Sequence, residues 1–244
     1  MTLDLAGAAR LLREARSVGV LTGAGISAES GIPTFREAMT GLWARFDPEE
    51  LATMDAFRRQ PRMVWEWYAE RRKRIGEARP NPGHLALVEL ERRVGSFTLI
   101  TQNIDGLHQA AGSRNVVELH GNIRRVKCAG EDTVVESWDE SGELPPRCAV
   151  CGDRLRPDVV WFGELLPEAG LQRAWQVAEE CDLFLSIGTS NLVEPAAALP
   201  WLVHRSGATV LVINPTTEGQ RHGAGIHHLQ GPAGELLPAL VGVA

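Results

Sequence analysis

Residues 18–36 read VGVLTGAGISAESGIPTFR, and this stretch sets the expected fold. Val18-Gly19-Val20-Leu21 is a short apolar run flanked by turn residues, the pattern of a strand buried on both faces of a parallel sheet. Gly23, Gly25 and Ala28 follow with the spacing of a Gly-x-Gly-x-x-Gly/Ala dinucleotide-binding turn. In such a turn one glycine bends the chain, one lets backbone approach a pyrophosphate, and one small residue packs the helix whose first amides face the anion. A glycine-rich turn with no phosphate role begins the same way. The continuation is not that of an ordinary helix, because Gly31 and Pro33 interrupt it. A polar loop is expected instead, placed to fold over the far end of a bound cofactor.

Further short runs lie outward from this one. Residues 97–101, 116–119, 159–162, 183–187 and 209–213 are apolar and rich in β-branched or aromatic side chains. Their alternation with helical and loop stretches predicts an α/β chain, a Rossmann-like doubly wound parallel sheet. Residues 38–80, dense in Trp, Arg and Glu, and residues 122–157, which hold three of the four cysteines, break the alternation. They are expected to be a helical and a zinc-ribbon-like insertion that build a second, smaller lobe on a sheet domain of residues 1–37, 81–121 and 158–244. Leu5, Ala8, Leu12 and Ala15 share one face of an N-terminal helix, and residues 233–241 read as a closing amphipathic helix.

Ligands of open α/β sheets bind beyond the carboxyl ends of the strands, so the polar residues there are the candidate site. The run 97–101 leads into Gln102-Asn103-Ile104-Asp105, whose amides and carboxylate suit a ribose and a carboxamide. The others lead into His120-Gly121-Asn122, Gly188-Thr189-Ser190 and Asn214-Pro215-Thr216. Each alone also fits a loop cap or Asx turn. Of the seven histidines, His120 alone follows an expected buried strand and precedes a glycine, where an imidazole of pKa ~6.5 can take a proton at neutral pH.

The segment from Gly23 to Arg36 closely resembles the signature of the sirtuins, the NAD-dependent protein lysine deacylases. Gln102-Asn103-Ile104-Asp105 and His120-Gly121 are similar to that family's two catalytic motifs. The resemblance covers essentially the whole chain and implies NAD as a consumed co-substrate. It places NAD against Gly23, Ala24, Gly25, Ile26, Thr34, Phe35, Arg36 and Trp43, against Gln102, Asn103, Ile104 and Asp105, and against Gly188, Thr189, Ser190, Asn214, Pro215, Thr216 and Ala233. It also makes His120 the general base on the nicotinamide ribose, with Asn103 and Asp105 shaping the nicotinamide pocket. The implied reaction starts with attack of an acyl-lysine oxygen on the ribose as nicotinamide leaves, and ends with free lysine and O-acyl-ADP-ribose.

Tyr68, the chain's single tyrosine, and Arg71 are one helical turn apart. A guanidinium fork and a phenol there can bind a carboxylate, although the run Arg71-Arg72-Lys73-Arg74 also fits a solvated basic face. Tyr-x-x-Arg resembles the acyl-carboxylate motif of class III sirtuins, which implies desuccinylase and demalonylase activity beside deacetylase activity. Val160, Trp161, Phe162 and Gly163 resemble the family's peptide-binding strand and acyl-lysine channel, so acyl-lysine peptides or proteins are the expected partners.

Cys148-x-x-Cys151 is half of a zinc ribbon, and Cys128 opens the other half, but Glu131 stands where its partner cysteine belongs. Three thiolates with Glu131, Asp132 or water make a zinc site, in this family a structural one; the alternative is a degraded ribbon held by packing. Clustered cysteines and the lack of a basic-then-apolar leader predict a reduced, cytoplasmic protein without membrane attachment. The net charge of −6 leaves no basic footprint for nucleic acid. Two other functions fit the NAD motifs: an ADP-ribosyltransferase, or a non-catalytic NAD-sensing module.

Overall fold

The computed structural model describes residues 3–33, 51–190, 192–216 and 223–242. Thr34, Phe35, Arg36 and Trp43 lie outside them.

Strand β1 (Ser17–Thr22) is buried along nearly its whole length. It pairs in parallel with β2 (Ser96–Thr101) on one side and β7 (Leu183–Ile187) on the other. Together with β3 (Val116–Glu118), β8 (Thr209–Asn214) and β9 (Ile226–Gln230), they form a six-stranded parallel sheet of order β3-β2-β1-β7-β8-β9. Strands covered on both faces need apolar side chains in both directions, which is why β1, β2, β7 and β8 read as mostly apolar runs, broken inside only by the buried hydroxyls of Thr98 and Ser186.

Helices cover the two faces. Leu5–Glu14, Pro82–Arg93 and Ala233–Val241 pack with Val20, Leu99 and Leu211, whereas Glu168–Glu180 and Leu199–Arg205 pack with Leu21, Phe184 and Val212. Each such leucine or phenylalanine contributes about 1.5–3 kcal/mol by leaving water. Local signals start the helices: the Asp4 carboxylate accepts from the Gly7 amide, and Asn81 Oδ1 accepts from those of Gly83 and His84.

A second, three-stranded antiparallel sheet of order β5-β4-β6 joins β4 (Gly121–Cys128), β5 (Val134–Val135) and β6 (Leu155–Val159). Helices Met54–Arg59 and Pro61–Glu77 share two hydrophobic clusters with it, one around Phe57, Tyr68 and Trp161, the other around Trp65, Cys128 and Cys148. The strand expected over 159–162 is corrected here: the chain is extended over Leu155–Val159, in the antiparallel sheet, and its apolar continuation joins the aromatic cluster instead.

The chain runs from β1 outward to β3, then returns to β7 on the other side of β1. The order reverses between β1 and β7, and the loops leaving these two strands flank the crevice where ligands of such sheets sit.

Candidate active site

The loops after β1 and β7 interlock by backbone contact. Gly23 N donates to Ile187 O at 3.0 Å and Gly25 N to Gly188 O at 2.9 Å. A Cβ at Gly25 would come within 2.6 Å of Gly188 Cα, and Gly188 itself has φ +60°. Neither position tolerates a side chain. The result is a bare cradle of backbone at the switch point, which fits a pyrophosphate. Ala24 and Gly25 are partly exposed there, whereas Ile26 is buried and its carbonyl accepts from Asn81 Nδ2 at 2.7 Å.

Ser27, in the helical turn Gly25–Ala28, ties this cradle to the loop after β2. Its hydroxyl donates to Asp105 Oδ2 at 2.7 Å and accepts from Asn103 Nδ2 at 3.2 Å. The same Asn103 amide donates to Gly23 O at 3.0 Å. Asp105 is almost fully buried, and burial raises its pKa against the opposing bonds from the Leu107 amide and Ser27 and the charge of Arg124. Arg124 Nε also donates to the Asp105 carbonyl at 2.8 Å. Gln102 and Ile104 are partly exposed on this loop, and Gln102 N donates to Thr22 O at 3.0 Å. Ser27 is a site residue the motifs did not single out, because a serine in a turn reads as a cap.

His120 follows β3 and faces the same loop, its Nδ1 2.9 Å from Gln102 O. Burial lowers its pKa, with the Gln102 carbonyl acting the other way. Gly121, φ +78°, packs on Asp158 O, where a Cβ would overlap. The corner is held by Glu118, which accepts from Asn122 Nδ2 and Arg125 Nη2.

On the sheet's far side, Asn214 Nδ2 donates to Thr189 O at 2.8 Å, and Thr189 is buried while Ser190, Pro215 and Thr216 are exposed. Ala233 is buried in the core, whereas its neighbours Gly231 and Pro232 are half-buried. The Glu29 carboxylate accepts from Gly234 N at 2.9 Å and fastens this loop to the turn after β1.

Residues 23–195 match the profile of the Sir2 family. That match spans most of the chain. The chain belongs to the Sir2 family. It is 50% identical over 239 residues to NAD-dependent protein deacylase 1 of Pseudomonas aeruginosa, covering 95% of each sequence. It is 51% identical over 239 residues to an NAD-dependent protein deacylase of Pyrococcus furiosus, covering 95% of this chain and 94% of that one. Among solved structures, a Sir2 homologue in complex with NAD superposes with a TM-score of 0.86 at 45% identity, covering 96% of this chain and 91% of the other. A Sir2 variant with a deacetylated peptide and 3′-O-acetyl ADP-ribose gives 0.83 at 31% identity, covering 99% and 98%.

In this sirtuin, Tyr68 and Arg71 lie on helix Pro61–Glu77, with the Tyr68 ring against that of Trp161. Trp161 Nε1 donates to the Tyr68 hydroxyl at 2.9 Å, so the phenol accepts there and keeps its own proton to give. Burial pushes the Tyr68 pKa up to about 12, against the charge of Arg71. The Arg71 guanidinium stacks 4.8 Å from the Trp67 ring, and its Nε is buried without a partner. No carboxylate among the described residues pairs with it. Burial lowers its pKa and the Tyr68 oxygen raises it. The expectation of a solvated basic face therefore fails for Arg71, while Arg74, which pairs with Glu70, behaves that way.

Trp161 itself is buried, braced by the Arg156 guanidinium 3.5 Å from its ring and by Glu164, whose Oε2 accepts from Trp161 N. Val160 is half-buried and donates to His120 O; Phe162 and Gly163 are exposed and line an open cavity of about 630 Å³ with Thr53, Met54, Asp55 and Arg59.

The sulfur atoms of Cys128, Cys148 and Cys151 all lie within 4.8 Å of one another. Amides of Cys151 and Val150 point at Cys148 Sγ, and that of Asp153 at Cys151 Sγ. Such N–H···S bonds stabilise thiolates, and this donor set fits zinc with three protein ligands. Glu131 and Asp132, expected as candidate fourth ligands, are exposed and outside the cluster, and Asp132 pairs with Lys127 Nζ at 2.6 Å. Cys181 is a core residue apart from the others. Among the described residues no helix is long and apolar enough to cross a membrane.

Proposed function

We propose that this sirtuin is an NAD-dependent protein lysine deacylase that accepts acidic acyl groups, succinyl and malonyl, as well as acetyl. NAD, when bound, supplies a nicotinamide leaving group and a ribose hydroxyl beside it. The residues do the rest. The backbone cradle of Gly23, Gly25 and Gly188 receives the pyrophosphate. Asn103 and Asp105, locked together by Ser27, hold the carboxamide. His120 takes the hydroxyl proton on Nε2, because Nδ1 is committed to Gln102 O. Thr34, Phe35, Arg36 and Trp43 complete the nucleotide site in this reading, and zinc on the three cysteines holds the ribbon.

One observation carries the acyl choice. A guanidinium with a buried, unpartnered N–H is costly unless an anion arrives, and Arg71, whose Nε is in that position and which pairs with no carboxylate among the described residues, lies beside a phenol able to donate. A succinyl carboxylate meets both. Exposed Phe162 and Gly163 offer the substrate backbone a place alongside. The same reading keeps residues 122–157 and 38–80 as the smaller lobe and the rest as the NAD-binding domain.

Mass analysis of the products tests it against the second reading, transfer of ADP-ribose to protein. Incubation with NAD and a succinyl-lysine peptide should yield free lysine peptide and O-succinyl-ADP-ribose. ADP-ribose attached to protein, with the peptide unchanged, would favour the transferase.

A further inference from the structure

Two turns of the small lobe, residues 148–152 and 128–132, share one backbone pattern, and only the first carries a second sulfur. In the first, Gly152 N donates to Cys148 O at 2.9 Å, and Gly152 is left-handed with φ +80°. In the second, Asp132 N donates to Cys128 O at 3.0 Å, and Asp132 is left-handed with φ +52°. A non-glycine residue there is uncommon, so the second turn keeps its shape at some conformational cost. Superimposed in this way, Cys128 matches Cys148 and Glu131 matches Cys151. The second turn has the form of a thiolate knuckle without its last sulfur.

Nothing else among the described residues supplies the missing donor. No His, Asp or Glu joins the three sulfurs within 4.8 Å. The Glu131 side chain is exposed, Asp132 is held by Lys127, and the Asp153 carboxylate packs on Gly130. Structural zinc sites are closed by four protein ligands, whereas three protein ligands leave a vertex for water. We propose that zinc is held here by Cys128, Cys148 and Cys151 alone, with a solvent-exchangeable fourth position on the side of the 128–132 turn. Water occupies that vertex, and a small thiol replaces it as the thiolate, releasing the thiol proton to solvent.

The test uses the full chain loaded with Zn(II) or with Co(II). One metal should bind per chain. In competition with a chromophoric chelator, Glu131→Cys should hold zinc about tenfold or more tightly than the wild type, since the turn already presents position 131 as it presents Cys151. The visible spectrum of the cobalt-loaded wild type should change on adding β-mercaptoethanol, while that of Glu131→Cys should not. Failure to bind metal stoichiometrically, equal zinc retention by a folded Glu131→Cys, or a wild-type cobalt spectrum indifferent to the thiol would each overturn the proposal. The thiol titration needs only the wild type, so it stands if the variant folds poorly.

Discussion

His120 Nδ1 and the carbonyl oxygen of Gln102 are 2.9 Å apart. A carbonyl only accepts, so Nδ1 carries the proton and Nε2 keeps its lone pair. Burial holds the ring's pKa below its ordinary value of ~6.5. The base form is the neutral one, so kcat/KM should stay level as pH falls through neutrality and drop only below that value, where the ring protonates. His120→Ala should lower kcat/KM by about 10²–10⁴-fold across the plateau. A pH profile of deacylation for the two proteins checks both.

Arg71→Met and Tyr68→Phe should separate the acyl groups. Removing the fork leaves the acyl carboxylate unpaired, a loss of about 1–3 kcal/mol, or about five- to 150-fold in kcat/KM. Acetyl-lysine, with no carboxylate, should lose far less. The Phe variant should fall between, because it removes one donor and leaves the charge. Equal losses on matched acetyl and succinyl peptides would remove Arg71 from specificity.

Ser27 bridges Asp105 and Asn103. Ser27→Ala leaves a buried carboxylate short of a donor, which costs about 1–3 kcal/mol and raises the Asp105 pKa further. Nicotinamide release should slow by about tenfold or more, with only a few degrees lost in Tm. A thermal melt beside the rate measurement distinguishes this from unfolding.

His84 and His108 pack together, both buried, with ring centroids 4.9 Å apart and the rings tilted by 52°. Burial lowers the pKa of His84 to about 4; burial, with the charge of His84, lowers that of His108 to about 3. The unfolded chain takes protons at ~6.5 that the folded chain refuses, so their stabilising contribution is complete above that pH. It is lost as pH falls toward the folded values, by up to about 1.4 kcal/mol per pH unit for each group. Urea midpoints should therefore drop between about pH 7.5 and about pH 5. His84→Gln should flatten that drop, since Gln at the same helix position still accepts from Asn81 N, as His84 Nδ1 does at 3.3 Å. An unchanged slope in the variant would contradict the assignment.

The sequence speaks clearly where a residue's environment is set by its neighbours along the chain. Val18, Leu99, Leu185 and Leu211 sit in doubly covered strands, and continuous apolar runs say so. The loop residues Asn103, Asp105 and His120 follow because ligands gather where such strands end. The run 159–162 misled because a strand end and an aromatic cluster are equally apolar. Strand β9 was silent: His227 and His228 are half-buried on an edge strand, which needs no apolar run. Ser27, Arg71 and the left-handed Asp132 acquire meaning only from a partner 78 residues away, from a buried Nε without a partner among the described residues, and from a backbone angle. None of these is encoded in a local pattern.

The most direct test of the account is nicotinamide release by the pure protein given NAD and matched acetyl-lysine, succinyl-lysine and unmodified peptides. Release should require an acylated lysine, should occur with both acyl groups, and should end in O-acyl-ADP-ribose in the wild type but not in His120→Ala. Release indifferent to the acyl group's presence, or product formation undiminished in His120→Ala, would contradict it.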